Sequence, residues 1–156
     1  MVRLSDLHES EAAHMLASAA AMSPVEAAPW ISPKPLAEST VAIVSTAGLH
    51  RRSDPPFMPG AVDYRILPGD VDFADCVLSH ISTNFDRSAF QQDPNISFPL
   101  DRLREMQADG EIGGVSRWHY SFMGAQRNHE ALAPTGEEVG RLLVADGVDV
   151  ALLVPI

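Results

Sequence analysis

The sequence holds a single cysteine, Cys76, among 156 residues. An intramolecular disulfide is excluded, and with it the disulfide-stapled secreted scaffolds. Basic residues are scarce: 11 Lys and Arg stand against 21 Asp and Glu, a formal net charge of −10. A nucleic-acid partner is therefore not expected, because phosphate binding needs a clustered basic surface. Nor is a membrane partner, since no polybasic segment is present to hold an anionic bilayer. No apolar run approaches the ~18 residues of a membrane span. The start, MVRLSDLHES, lacks the apolar centre of a secretory signal. The cytoplasm is the expected compartment. Compact catalytic signatures are missing too. There is no P-loop, GxGxxG or GxSxG, and no HxxxH, HxH or CxxC pair. Any chemistry must be assembled from residues distant in sequence, and no metal is expected from local spacing.

Hydrophobic residues, by contrast, make up 46% of the chain, enough for one domain to bury a core. Three stretches are expected: an N-terminal helix in 1–22, a proline-rich extended arm over 23–39, and an α/β domain from 40 to 156. In the first, residues 5–22 are rich in alanine. Ser5 or Asp6 is placed to cap a helix whose stripe is Leu7, Ala12, Met15 and Leu16. The arm carries four prolines, which forbid a regular helix, and Trp30 is expected to anchor it by packing.

The domain opens with TVAIVSTAG (40–48), a short β-branched run ending in glycine, the pattern of a central strand with a tight exit. After a loop (50–61), VDYRILP (62–68) alternates as a second strand. Residues 69–81 place Phe73, Val77 and Ile81 at four-residue spacing behind Asp70 or Asp72, which predicts a helix. Residues 82–98 form a long irregular loop, and such loops are often functional. A helix over 99–110 has Pro99 in its first turn and Gly110 beyond its end. A strand over 112–124 follows. Residues 135–147 form a helix with Thr135 and Glu138 in capping-box spacing and Gly147 past its end. VDVALLVPI is the last strand. Alternating strands and helices predict an open, mostly parallel sheet with flanking helices, Rossmann-like and three-layered.

In such a sheet, ligands bind beyond the carboxyl ends of the strands. His50 follows the first strand, His119 belongs to the third, and His80 lies on the expected helix between them. The 82–98 loop adds Asp86, Asp93 and Asn95. Imidazoles suit proton transfer because their pKa lies near working pH. A helical 69–81 segment would put Cys76 and His80 on one face as a thiolate–imidazole pair. A free cysteine more commonly packs as an inert small hydrophobe.

Several ordered stretches resemble the D-proline reductase and glycine/sarcosine/betaine reductase component B family. They are PWISPKPLAESTVAIVSTAGLH followed by DYRILPGDV, the run from LSHISTNFD through DPNISFPLDRLREM to RWHYSFMGA, and the closing ADGVDVALLVPI. The resemblance covers residues 28–156 and leaves the N-terminal helix outside. It implies an oxidoreductase that reductively cleaves a C–N bond of an amino acid or related amine, of the D-proline, glycine, betaine or sarcosine type. It also implies a selenocysteine or cysteine nucleophile, and a pyruvoyl group on a partner reductase subunit. A selenol is already an anion at neutral pH, whereas an unperturbed thiol has a pKa near ~8.5.

By this resemblance the nucleophile would come directly after Ile156, so the domain is expected to be incomplete at its C-terminus. The expectation is that the codon after Ile156 is a UGA meant for selenocysteine, with a naturally short relative or a shortened sequence as the alternative. The chain alone would then lack the nucleophile and hold no cofactor. The matching positions are His50, His80 and His119 for proton delivery, and Asp86, Asp93 and Asn95 for the substrate. An open last strand would favour a homo-oligomer. Two rival readings remain open: a small-carboxylate or amine-binding regulatory protein, and a metal-dependent enzyme built on the three histidines.

Overall fold

The computed structural model of the chain describes residues 3–22, 31–82, 87–126 and 128–156. They fall into two compact units, Met1–Ser32 and Pro33–Ile156. The first contains helix α1 (Glu9–Ala20), which starts two to three residues later than Ser5 or Asp6 would place it. Its cap is His8, whose imidazole accepts from the Ser10 N–H, while Leu4–Asp6 form a separate 3-10 turn. No residue of α1 is buried, and Met15 and Leu16 of the expected stripe are both more than half exposed. The anchoring expected of Trp30 lies outside the described residues.

The second unit is built around β1 (Thr40–Ser45). β-branched residues stiffen this strand, and apolar side chains on both faces mark it as central. Val41 and Ile43 join one apolar cluster with Leu67, Phe98, Leu100 and Leu103. Val44 packs on a second cluster with Tyr120, Phe122 and Val139. Helix α3 (Leu100–Ala108) supplies the first cluster and helix α4 (Ala133–Ala145) the second. Burying one side chain of this size stabilises by roughly 1.5–3 kcal/mol, so both faces of β1 hold it in place.

Along one edge of β1, β7 (Val150–Val154) pairs in parallel over the full Val41–Ser45 run. The other edge is shared by β5 (Gly114–Val115) and β6 (Trp118–Phe122), both parallel to β1. β3 (Tyr64–Pro68) then pairs with β6 in the antiparallel sense. The sheet is thus mixed, with a parallel centre and an antiparallel margin, and the strand expected over 112–124 is interrupted. A separate antiparallel pair joins β2 (Leu49–Arg51) to β4 (Cys76–Leu78).

The helix expected over 69–81 does not form. Asp72 accepts from the Ala74 N–H to cap a single 3-10 turn, Phe73–Asp75, and the chain then enters β4. Pairing of Val77 with His50 overrides the four-residue spacing, because strand propensity depends on available partners. Ile81 is 41% exposed rather than on a buried face. Cys76 and His80 consequently do not share a helical face. The 82–98 loop carries a short helix α2 (Arg87–Gln92) and a 3-10 turn, Pro94–Ile96. The expected capping box at Thr135 is absent. α4 begins at Ala133, and the Thr135 hydroxyl donates to the Val62 and Leu132 carbonyls. Glycine ends the helices as expected, with Gly110 at φ 75° and Gly147 at φ 70°.

Candidate functional site

β1, β6 and β7 run in one direction, so their carboxyl ends lie together. The exit of β1 is tied to the exit of β7. The Ile156 N–H donates to Thr46 Oγ1 at 2.8 Å, the same hydroxyl donates to the Ile156 carbonyl at 3.2 Å, and the Thr46 N–H bonds the Val154 carbonyl at 3.1 Å. The exit of β6 adds Gly124. A Cβ there would lie 2.5 Å from His80 Nε2, 2.6 Å from the Ile156 carbonyl oxygen and 2.6 Å from the Thr46 carbonyl oxygen. Three polar atoms from three distant segments therefore surround one point that only glycine leaves open. Ala125, the next residue, holds φ 56°, a left-handed conformation that costs an alanine about 1 kcal/mol.

The His80 ring is buried at 3% exposure. Its Nδ1 accepts from the Ser82 N–H at 3.2 Å, so the ring proton of the neutral form sits on Nε2 and faces the Ile156 carbonyl. Burial lowers its pKa below the ordinary imidazole value. Hydrogen bonding to the Ile156 backbone opposes that shift, and the nearby Arg87 charge adds to it. His80 is thus a neutral hydrogen-bond donor at neutral pH. The Arg87 guanidinium also donates to the His80 carbonyl. Gly48, at φ 66°, permits the close approach of this segment: a Cβ on it would meet the His80 nitrogen at 3.1 Å.

His50 is joined to this place through Ser79. Its Nδ1 donates to the Arg51 carbonyl at 2.7 Å, which leaves Nε2 to accept from the Ser79 hydroxyl at 2.8 Å. With both nitrogens engaged, the imidazole orients Ser79, whose oxygen remains able to accept a hydrogen bond beside His80.

His119 does not converge with them. It is the second residue of β6, about 15 Å along that strand from Gly124 by strand rise. Its Nδ1 accepts from the Ile43 N–H at 2.9 Å, replacing a bond of the interrupted sheet, and its ring stands edge-on to Phe98. Burial, aided by the Arg104 charge, pushes its pKa down to about 4, so the ring is neutral with its proton on Nε2.

Asp93 and Asn95 build a turn. The Asp93 carboxylate accepts from the backbone and side-chain N–H groups of Asn95, and Asn95 Oδ1 accepts from the Asp101 N–H at the start of α3. These bonds hold Asp93 below the usual carboxylate range. Asp86 lies outside the described residues. Cys76 is buried, and its thiol is pushed up to about 11, first by burial and then by Asp75 and Asp54. It is a poor nucleophile at neutral pH. Among the described residues, no three His, Cys, Asp or Glu side chains are grouped to hold a metal ion. No helix among them is long and apolar enough to cross a membrane.

Thr46, Ser79 and Gly124 were missed from the sequence. Each sits beside a strand exit that sequence patterning did locate, so proximity to those exits was the available signal.

A family model described as glycine/sarcosine/betaine reductase selenoprotein B matches residues 12–155 of this chain, beginning inside α1. The chain is 34% identical over 122 residues to the D-proline reductase subunit gamma of Acetoanaerobium sticklandii, an alignment covering 77% of this chain and 50% of that subunit. It is 32% identical over 120 residues to the betaine reductase complex component B subunit beta of Peptoclostridium acidaminophilum, covering 74% of this chain and 28% of that one. Against the glycine reductase complex component B subunit gamma of Carboxydothermus hydrogenoformans the identity is 26% over 124 residues, covering 77% and 28%. The chain therefore spans half the length of the first relative and 28% of the other two. No solved structure matches.

Proposed function

We propose a role for this chain that starts from one fact: it belongs to the glycine/sarcosine/betaine reductase selenoprotein B family. In our reading it forms part of a reductase component that cleaves a C–N bond of an amino acid or related amine. The whole domain would be a Rossmann-like layered α/β fold, of which the sheet around β1 is a part. The observation that carries the reading is the Nε2 proton of His80, held next to Ile156 where the carboxyl ends of β1, β6 and β7 meet.

A selenocysteine or cysteine directly after Ile156 in the full-length protein would supply the nucleophile that displaces nitrogen from the carbon beside the carboxyl group. The residues of this chain do the rest. Thr46 fixes the end of β7 through two hydrogen bonds, so the residue following Ile156 emerges at a set place. His80 donates a hydrogen bond from Nε2 to the departing nitrogen, which takes its proton from solvent, and the Ser82 N–H fixes this orientation by occupying Nδ1. Its lowered pKa keeps the ring neutral, so Nδ1 stays an acceptor and Nε2 the donor. His50 positions the Ser79 hydroxyl for a polar group of the substrate. Asp86 is assigned to the substrate ammonium, and Asp93 and Asn95 serve by holding the turn ahead of α3. A partner subunit carrying a pyruvoyl group would activate the amine in the D-proline type of reaction.

The test is turnover by the full-length protein assembled with its partner subunits, given a dithiol reductant and each of D-proline, glycine, sarcosine and betaine. One of the four is expected to be reduced, with kcat falling about 100-fold in His80→Ala. An assembled complex that reduces none of them overturns the reading. Full activity in His80→Ala overturns the role of His80 alone.

A further inference from the structure

The interruption between β5 and β6 creates a second polar site. Val41 pairs with Val115 and Val44 with Tyr120, so three steps along β1 correspond to five along its neighbour. The two extra residues are accommodated at Ser116 and Arg117, where the strand leaves the sheet. Such bulges re-aim side chains and often border functional sites. Here the detour opens a hollow of about 590 Å³ between the end of β3, the start of β6 and α3.

The groups facing this hollow are mainly donors. Arg104 reaches over from α3, one guanidinium nitrogen bonding the Gly69 carbonyl and another Asp101 Oδ1, both at 2.8 Å. Each of those nitrogens has a second N–H. The Arg117 guanidinium lies over the Trp118 ring, 4.9 Å from its centroid, which holds the charge at the rim. Gln107 spends its carbonyl oxygen on the Val115 N–H, leaving its amide NH₂ as a donor. On the floor is Gly69. A Cβ there would lie 2.4 Å from the Ser116 carbonyl oxygen and 3.5 Å from His119 Nε2. That Nε2–H is wholly buried and has no hydrogen-bond partner among the described residues. A buried donor left unsatisfied costs free energy, and its N–H dipole lies just behind the Gly69 wall of the hollow. Asp70 stands on the rim as the opposing charge.

We propose that this hollow binds a small oxyanion, the carboxylate or phosphate group of a ligand, between Arg104 and Arg117. Two guanidiniums and an amide NH₂ match the acceptor oxygens of such a group. The site is local in an acidic chain, so the match is not a consequence of overall charge. Asp70 favours a singly charged group over a polyanion. The site lies at the opposite end of β6 from Gly124, and it does not depend on the reductase reading.

The test titrates the protein with inorganic phosphate, and separately with acetate, at low ionic strength. Binding is followed by calorimetry and by the ¹⁵N signals of the histidine rings. Saturable binding by one of the two is expected, with the His119 Nε2 signal moving and the His80 signal unmoved. Arg117→Gln, an exposed substitution, is expected to weaken binding about tenfold or more. Arg104→Gln serves as a second variant, read only if its unfolding midpoint matches wild type. Saturation by phosphate alone assigns a phosphate group, and by acetate alone a carboxylate. No saturation below ~10 mM, an equal response to chloride, or unchanged affinity in Arg117→Gln overturns the proposal; the concentration limit corresponds to about −3 kcal/mol.

Discussion

The two ends of β6 offer opposite chemistries on one strand. At its carboxyl end, two backbone carbonyls and one imidazole N–H crowd around Gly124, so a single proton faces several acceptors. At its amino end, two guanidiniums and an amide line a hollow, and the His119 N–H lies buried behind the Gly69 that forms part of its wall. Both ends hold a buried neutral histidine with its proton on Nε2. The rings differ in what that proton meets: a carbonyl for His80, and the glycine floor of a cavity for His119. The same residue type is thus a poised donor in one place and a sheet-repair element with a spare proton in the other. Surroundings decide the role.

The sharpest way to break this contrast is at Gly124. A methyl group there must displace two backbone carbonyls, which cannot swing away as a side chain could. Gly124→Ala is expected to cost about 3 kcal/mol or more, read as a lower urea midpoint with an unchanged m-value. Wild-type stability in this variant would mean that the three atoms do not in fact converge.

The next effect is comparable and separates the two histidines. In the unfolded chain His119 takes up a proton near its ordinary pKa of 6.5, but in the folded chain only near 4. Between those values the unfolded state binds more protons, so stability falls as pH falls through that window. His119 alone contributes about 3 kcal/mol of this loss by pH 4. His119→Asn keeps an acceptor for the Ile43 N–H and cannot be protonated. Its stability should depend less steeply on pH between 6.5 and 4, and an unchanged slope would refute the assignment. His80 is shifted in the same direction and accounts for part of the slope that remains.

Thr46→Val is a smaller perturbation. It removes both hydrogen bonds to Ile156 with little change of shape, and is expected to destabilise by about 1–2 kcal/mol. Hydrogen exchange should accelerate in β7 more than in β3, and uniform acceleration would argue against a local clamp. Smallest is Ala125→Gly, which relieves the left-handed strain at φ 56° and should stabilise by up to about 1 kcal/mol. A loss of stability would show that the alanine methyl makes a contact worth more than the strain.

The parts of the fold legible in the sequence are those whose signals are local. β1 is a β-branched run closing on Gly48, and α3 and α4 both end in glycines with positive φ. β4 was hidden because its strand character comes from β2, and a spacing of four among apolar residues looks helical until a pairing partner is known. The break between β5 and β6 was equally hidden, since the gap is defined only against β1. In the site, His80 was recognisable by type and by its neighbourhood. The residues that give it a direction, Thr46 and Gly124, contribute backbone carbonyls and a missing side chain, which no motif advertises. By residue type Asp93 and Asn95 suit a substrate site, and short polar side chains serve equally well as turn caps. Here they cap.

The pairing of β1 with β7 also sets a timetable. Val41 to Ser45 meet partners at positions 150 to 154, more than a hundred residues later in the chain. At ribosomal speeds of about 5–20 residues per second, β1 is complete roughly 5–20 s before that partner exists. During the wait, an apolar β-branched strand presents an edge that any other extended segment can occupy. Synthesis of this protein should therefore be most vulnerable to aggregation between the emergence of β1 and that of β7, and slowing translation in that interval should lower the yield of soluble chain.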